Sequence, residues 1–518
     1  MPAVSHDEFT RRVEQGEALF IYDSKVYRVD GFINRHPGGR LAIWHMLGRD
    51  ATSEIRVLHP DWVVTRMLPA FCIGQYTKDV NSELDEAVQG LCSSQKELTE
   101  PSKVIEKGSA KGTNENPSLS HVRPSHDSLP GVQDYTTRTV NRQIAQLEKT
   151  VEPETLPMDY DAIEADFHRL ELQIKKMGLE NTNYWCYAEE GVRYVSFLLG
   201  TFILALWGPE HWLNYTLSAV CCGLLWQQLA LCAHDLGHNG VTHKRSWDGL
   251  LGVLLADFIG GLSIGWWKKN HNVHHIVTND PEHDPDIQHL PFFAVTTKLF
   301  HNMRSSYYAR QLQFDWFARF LIPFQHLLYI PILCFGRFNL YFLSLSHLLT
   351  ADFAPWRWLE LTGMTFFWTW YITFLSQFPS WQWALFHALL SHMVTVILHL
   401  QITLSHFGMS STCPDPEREC FAARQLRTTM DIDCPAWFDW FHGGLQFQVE
   451  HHLFPRVPRH NLRQVQVLVK DFAARHPGLK FYSFNFLHAI ELVLDSMKSV
   501  GEQVQTWVRT RMMTQKSL

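Results

Sequence analysis

The sequence predicts two domains of different class in one chain: a small α+β domain, then an all-α membrane domain with four transmembrane helices and a cytosolic cap. Three observations predict it. Up to about Tyr76, short apolar runs alternate with turn residues: "LFIYDSKVYRV" has the period of a strand, and "HPGGRLAIWHML" passes into a helix. From about Thr77 to Pro157 the composition shifts to Ser, Glu, Lys, Asn and Pro, and "KGSAKGTNENPSLSHVRPSHDSLPG" has too little apolar surface to offset its ordering entropy. Beyond Gly191 lie long apolar segments grouped in two pairs. The expected boundaries are 1–78 for the first domain, 79–157 for a flexible linker, 158–500 for the membrane domain and 501–518 for a polar tail.

Composition narrows the function classes. The net charge of -7 and the lack of a long basic run argue against a nucleic-acid partner. Ten cysteines without CxxC pairs suit a reducing compartment, where thiols act as small hydrophobes. The first thirty residues are polar and charged, so no signal peptide is expected and the N-terminus stays cytosolic.

Within the linker, "NRQIAQLEK" is expected to form one helix. In "DAIEADFHRLELQIKKMGLE", Ile163, Phe167, Leu170, Ile174 and Met177 share a helical face, which predicts packing on the following domain more than a membrane-surface helix. "YVSFLLGTFILALW" and "WLNYTLSAVCCGLLWQQLALCA" are joined by "GPEH"; "WLELTGMTFFWTWYITFLS" and "WQWALFHALLSHMVTVILHLQITL" are joined by "QFPS". Neither loop holds Lys or Arg, whereas Arg193, Lys244, Arg245, Lys268, Lys269 and Arg357 flank the other ends. The positive-inside bias puts both loops in the lumen and both termini in the cytosol. "GLLGVLLADFIGGLSIGWW" and "FLIPFQHLLYIPILCF" are interrupted by Asp, Gly, Pro, Gln or His, and are expected to be membrane-embedded or interfacial without crossing.

"HPGG" at His36 to Gly39, then "GRDAT" at Gly48 to Thr52, then His59, form an ordered set of landmarks between "KVYRVDGFIN" and "LPAFCIGQY". Residues 5 to 76 resemble a cytochrome b5 domain. The resemblance implies that His36 and His59 are the axial ligands of haem b, with His45 the nearby competitor for the second place. Two imidazoles leave iron six-coordinate, for single-electron exchange and not oxygen binding. Arg35, Arg40, Arg49 and Arg56 sit where that family's haem edge is usually acidic. They are either solvated surface charges or a surface that steers the haem toward an acidic partner.

Residues at i, i+3 and i+4 share a helix face. His234 and His238 satisfy i, i+4; His271, His274 and His275 satisfy all three positions; Gln448, His451 and His452 repeat that spacing with glutamine leading. On the expected topology the three boxes lie at one membrane face, with His406 at the end of the last span as a weaker candidate. Seven clustered imidazoles without a metal would repel one another on protonation. Zinc normally takes four ligands, fewer than this set offers, and it cannot use the electrons a haem domain delivers; imidazole with electron supply points to iron. Asp235, Asp284 and Asp286 are candidates to orient imidazoles; His399 reads as packing, and His243 and His283 stay unassigned.

The three boxes, with "WWKKNHNVHHIVTNDPEHDPDIQHLPFFAV" and "GGLQFQVEHHLFPRVPRH", resemble the membrane fatty-acid desaturase superfamily, in its front-end branch with an N-terminal cytochrome b5 domain. "HDPDIQHLPFFAV" most resembles the sphingolipid long-chain-base desaturases acting at C8, of fungal type. The resemblance implies two non-haem irons, held by the box histidines, and O2-dependent removal of two hydrogens from adjacent methylenes of a lipid chain seated in a narrow tunnel. It also implies an endoplasmic-reticulum membrane location. No Rossmann fingerprint is present, so electrons are expected from NADH through a separate cytochrome b5 reductase. The alternatives are an acyl desaturase acting at C5 or C6, a membrane lipid hydroxylase, and a membrane-anchored haem electron carrier with degenerate boxes.

Overall fold

Residues 1–78 build a small sheet with short helices around one edge. The computed structural model describes residues 1–78, 142–151, 158–413, 415 and 418–516, with backbone only from 511 onward. It divides the chain into two compact units, Met1–Leu129 and Pro130–Leu518.

In the first unit β1 (Ala3–Ser5) leads into α1 (His6–Glu14), whose N-terminus is capped by the Ser5 hydroxyl. The hairpin β2 (Leu19–Tyr22) and β3 (Lys25–Arg28) turns through Asp23 and Ser24, both at positive φ. Helices α2 (Arg40–Trp44) and α3 (Thr52–Leu58) follow, and β4 (Cys72–Thr77) closes the sheet in the order β1-β4-β3-β2. Val4, Phe9, Leu19, Ile21 and Val26 form its core.

The second unit is helical. Helix α4 (Tyr160–Lys176) buries Ile163, Phe167, Leu170 and Ile174 as its periodicity predicts, and Phe167 stacks on Phe454; Met177 falls at the C-cap and is exposed. Then α5 (Tyr184–Leu206) and α6 (Trp212–Gly237) pack along each other across the five-residue connection 207–211. Helix α7 (Arg245–Val253) continues through a wider turn to Ile259, and the chain then bends by 115° into α8 (Ile264–Ile276). Helices α9 (Trp316–Leu321) and α10 (Gln325–Leu333), then α11 (Gly336–Thr350), precede α12 (Arg357–Leu375), α13 (Trp381–Val394) and α14 (Val396–Phe407). Short elements α15 (Phe421–Thr428), β5 (Asp431–Asp433), α16 (Asp439–His442) and α17 (Gln448–Leu453) carry the third box; α18 (Leu462–Ala474), β6 (Ser483–Asn485) and α19 (Phe486–Lys516) complete the unit.

By length and composition, three helical runs among the described residues can cross a membrane: Trp212–Gly237, Trp316–Leu333 and Trp381–Phe407; a fourth is reached if the bent pair Arg245–Ile259 and Ile264–Ile276 is one span. This set differs from the one expected. Helix α5 carries Glu189, Glu190 and Arg193 in its first half, and α12 opens with Arg357 and Glu360. The run 316–333 qualifies on its length and apolar composition, and its Gln325 is fully buried with its amide spent on the backbone of Ala294 and Met497.

Two boundaries also fall differently. Within the stretch read as linker, residues 142–146 are helical as expected, yet the segment is bound to the second unit. Ile144 enters an apolar cluster with Phe300, Phe314 and Trp507, Glu148 accepts from the Thr297 amide, and Val151 pairs with Met409. The residues read as a polar tail continue α19, where Val504 and Trp507 are buried in the same cluster. The rest of the expected linker, 79–141 and 152–157, lies outside the described residues.

Beneath the third box, one core gathers residues from distant segments: Ile287, Phe293, Tyr329, Leu404, Phe407, Met430 and Val493 among them. Each such fully buried side chain is worth ~1.5–3 kcal/mol. This core fixes α14 against the loop 284–295 and α19.

Candidate metal centres

In the first unit, His36 follows a short helical turn, Ile33–Arg35, and precedes the Pro37-Gly38-Gly39 turn. Gly39 sits at φ 97, which a residue with a Cβ resists. The turn brings the Gly39 carbonyl within 3.1 Å of His36 Nδ1. His59 ends α3, and its Nδ1 lies 3.1 Å from the Ile55 carbonyl. A carbonyl only accepts, so both rings carry their proton on Nδ1 and keep a basic Nε2. The two ring centroids are 5.9 Å apart. That separation accommodates one ion bound on both sides at roughly 2 Å per nitrogen, so the pair fits a bis-imidazole haem. His45 instead packs edge-on against Trp44 at 4.9 Å.

Of the four arginines, Arg49 bonds Glu54 at 2.5 Å and Arg56 stands 3.7 Å from Asp23, while Arg35 and Arg40 are exposed. A steering surface is therefore reduced to the last two.

In the second unit, the ends of α6 and α14 meet α8 and α17. His234, His238, His271 and His451 each place one ring nitrogen within 4.8 Å of the others. His274, His406 and His452 form a second such group. His275 joins them: its Nε2 is 3.1 Å from the Nε2 atoms of both His271 and His451, and its ring stacks on His452 at 4.3 Å. All eight box-related histidines thus converge from four helices.

The chemistry of this set fits metal ions. His234 Nε2, His238 Nε2 and His452 Nε2 are buried without a hydrogen-bond partner among the described residues. An unmet buried polar group costs ~1–3 kcal/mol, which a bound cation removes. Burial and the neighbouring imidazoles hold His275, His451 and His452 well below the ordinary histidine range; burial takes His271 down to about 3. Neutral imidazole is the ligating form. His274 is the exception. Burial lowers it, but the charges of Asp284 and Asp286 overcome that and raise it to about 9. A cation on this ring has the same two carboxylates to satisfy it.

Gln448 is 3% exposed at the first turn of α17, and its Oε1 is buried without a partner among the described residues. Asp284 takes the orienting contact expected of it, 2.9 Å from His274 Nδ1; Asp286 stands 3.9 Å from His271 and is bonded by Asn270. Asp235 lies 3.5 Å from His234 but is shared with Tyr187 and the buried Arg459. His399 packs against Gly336, His243 faces Thr182, and His283 bonds Ser306, all outside the two groups.

Three contributors escaped the sequence reading. Trp267 stacks on His271 at 4.4 Å and touches the rings of His234 and His238. It fits because residue 237 is glycine: a Cβ there would stand 2.1 Å from the indole. Gln425 on α15 bonds His452, and Arg459 reaches Asp235 and Glu190. Only the "GH" of the first box and the paired tryptophans hinted at the first of these; nothing local signals the others.

Comparison with known proteins assigns a family to each of the two regions. The Fatty acid desaturase family model matches residues 210–484, and the Cytochrome b5-like Heme/Steroid binding domain model matches residues 5–77. The chain is 42% identical to a Delta 8-(E)-sphingolipid desaturase of Komagataella phaffii, over 97% of this chain and 94% of the relative. It is 40% identical to a protein of the same name from Emericella nidulans, over 95% and 93%. A Delta(8)-fatty-acid desaturase of Helianthus annuus is 38% identical over 66% of this chain and 74% of its own length.

Proposed function

The chain belongs to the fatty acid desaturase family, with a cytochrome b5-like domain fused ahead of it, and on that premise we propose that it introduces the C8 double bond into the long-chain base of sphingolipids. The observation that carries the reading is full-length similarity, near 40% identity, to relatives that bear that name. Their names also support the E geometry for the product.

The overall change takes two hydrogens from adjacent methylenes and returns O2 as two waters, with two electrons and two protons supplied from outside. The eight histidines would hold two non-haem irons, which when bound would supply the activation of O2 that an unactivated C–H bond requires. Around them the chain's residues bind and orient. His234, His238, His271 and His451 would hold one ion and His274, His406 and His452 the other, with His275 between the groups. Asp284 keeps the His274 proton on Nδ1. Gln448 offers its buried Oε1, one helical turn before His451, as a weak ligand or a hydrogen-bonding site for water. Activity kept in Gln448→His but lost in Gln448→Ala supports ligation; equal loss in both supports the hydrogen-bonding role. His36 and His59 would hold a haem supplied with single electrons from NADH through a separate reductase. The topology we favour for an endoplasmic-reticulum protein with cytosolic termini and a cytosolic cap has four spans: α6 and the continuous pair α13 and α14, which are long and apolar enough to cross, with α5 and α12, which pack on that set.

Sphingoid-base and fatty-acid profiling in a host lacking the activity tests the reading. A new Δ8 long-chain base, with acyl double bonds unchanged, is the expected result. New acyl unsaturation alone, a hydroxylated product, or haem without any lipid change would replace it with one of its rivals.

A further inference from the structure

The two histidine groups differ in how their rings are held. In the triad His274, His406 and His452, each Nδ1 meets an acceptor of a different kind, and each acceptor is fixed in turn. Asp284 receives His274 Nδ1 at 2.9 Å and the Asn279 amide at 2.7 Å. The Thr428 carbonyl receives His406 Nδ1 at 3.2 Å. Gln425, fully buried on α15, lies 3.0 Å from His452 Nδ1 through its Oε1.

The orientation of the Gln425 amide follows from its other partners. Its Nε2 donates to the His275 carbonyl at 2.9 Å, and a carbonyl can only accept. Oε1 must therefore face His452; the Thr278 hydroxyl, 3.0 Å from it, has a single proton and a shorter acceptor in the His274 carbonyl at 2.7 Å. An amide oxygen also only accepts, so the proton of His452 is on Nδ1. Nε2 is left as the basic nitrogen, and it is the atom found buried without a partner. In the four-histidine group the corresponding carboxylates stand farther off, 3.5 Å from His234 and 3.9 Å from His271.

We propose that Gln425 is a positioning residue: it fixes the His452 tautomer, and together with Asp284 and the Thr428 carbonyl it makes His274, His406 and His452 the more tightly held of two metal subsites. This rests on the metal-centre reading above. Removing a hydrogen bond behind a metal-bound imidazole typically lowers affinity 10–100-fold.

The test uses the purified full chain, measuring non-haem iron per haem and its release to a ferrous chelator. The wild type should hold about two irons and release them in a fast and a slow phase. Gln425→Leu should hold about one and lose the slow phase; Gln425→Glu, which keeps the acceptor oxygen for His452 but loses the donor to the His275 carbonyl, should retain more iron than Gln425→Leu. Gln425→Met, closer in length to glutamine and also without an acceptor oxygen, should behave as Gln425→Leu does. Two irons with unchanged release in Gln425→Leu would overturn the proposal. If Gln425→Leu does not accumulate, two irons with unchanged release in Gln425→Met do the same. A wild type without non-haem iron sinks the metal-centre reading itself, a distinct outcome.

Discussion

The proposed haem pair and the proposed histidine metal centre answer one problem, presenting imidazole nitrogens to a metal, at opposite ranges of sequence. His36 and His59 come from one short stretch, each oriented by a carbonyl three or four residues away. The histidine centre draws on positions from His234 to His452, and its orienting groups come from other elements: Asp284 from a loop, Gln425 from α15, Trp267 from the start of α8. A site built locally tolerates changes elsewhere, because its geometry needs few tertiary contacts. A site built from packed helices inherits every packing error in them.

This contrast can be broken most severely at the histidines themselves. His451→Ala removes a ring that touches His234, His238, His271 and His275. Desaturation should fall to background and non-haem iron below two per haem, while the haem spectrum is unchanged. A normal lipid profile would remove His451 from the centre. His59→Ala is the mirror experiment: the low-spin haem spectrum should disappear, with non-haem iron retained and partial activity restored by a soluble cytochrome b5 added in trans. Loss of non-haem iron in this variant would mean that the two regions are not independent.

Smaller effects sharpen the comparison. Gly237→Val forces a side chain into the space of Trp267, and overpacking of this kind costs ~1–3 kcal/mol. The second unit should melt earlier and carry less iron, and the haem domain should melt as before. Within the first unit, Arg49→Glu leaves the buried Glu54 beside a like charge, a loss of ~1–3 kcal/mol. Arg40→Glu at an exposed position should stay within ~0.5 kcal/mol. Equal melting temperatures for the two variants would show that the Arg49–Glu54 pair is not needed.

The periodic signals were the legible ones. The buried face of α4 from Ile163 to Ile174 depends on spacing within one element, so it can be read without knowing the fold; a strand does form at Leu19–Tyr22, but all four of its residues are buried, without the expected alternation. The spans were harder. Gln325 marks the run 316–333 as interrupted until the backbone groups of Ala294 and Met497 are seen to satisfy its amide. Likewise, Ile144 and Glu148 sit in a polar stretch that reads as tether, and only the cluster at Phe300 and the amide of Thr297 show what binds them.

By itself the sequence determined which histidines are available, because i, i+3 and i+4 spacing is a property of a single helix. It also determined that a haem-type domain is joined to an apolar helical one. Only the tertiary structure decided how the eight histidines divide, into His234, His238, His271 and His451 against His274, His406 and His452, with His275 between them. Adjacent residues such as His451 and His452 point to different groups, since neighbours on a helix are about 100° apart and face different partners. Which nitrogen each ring presents was decided the same way, by acceptors such as Gln425 and Asp284 that packing alone brings within reach.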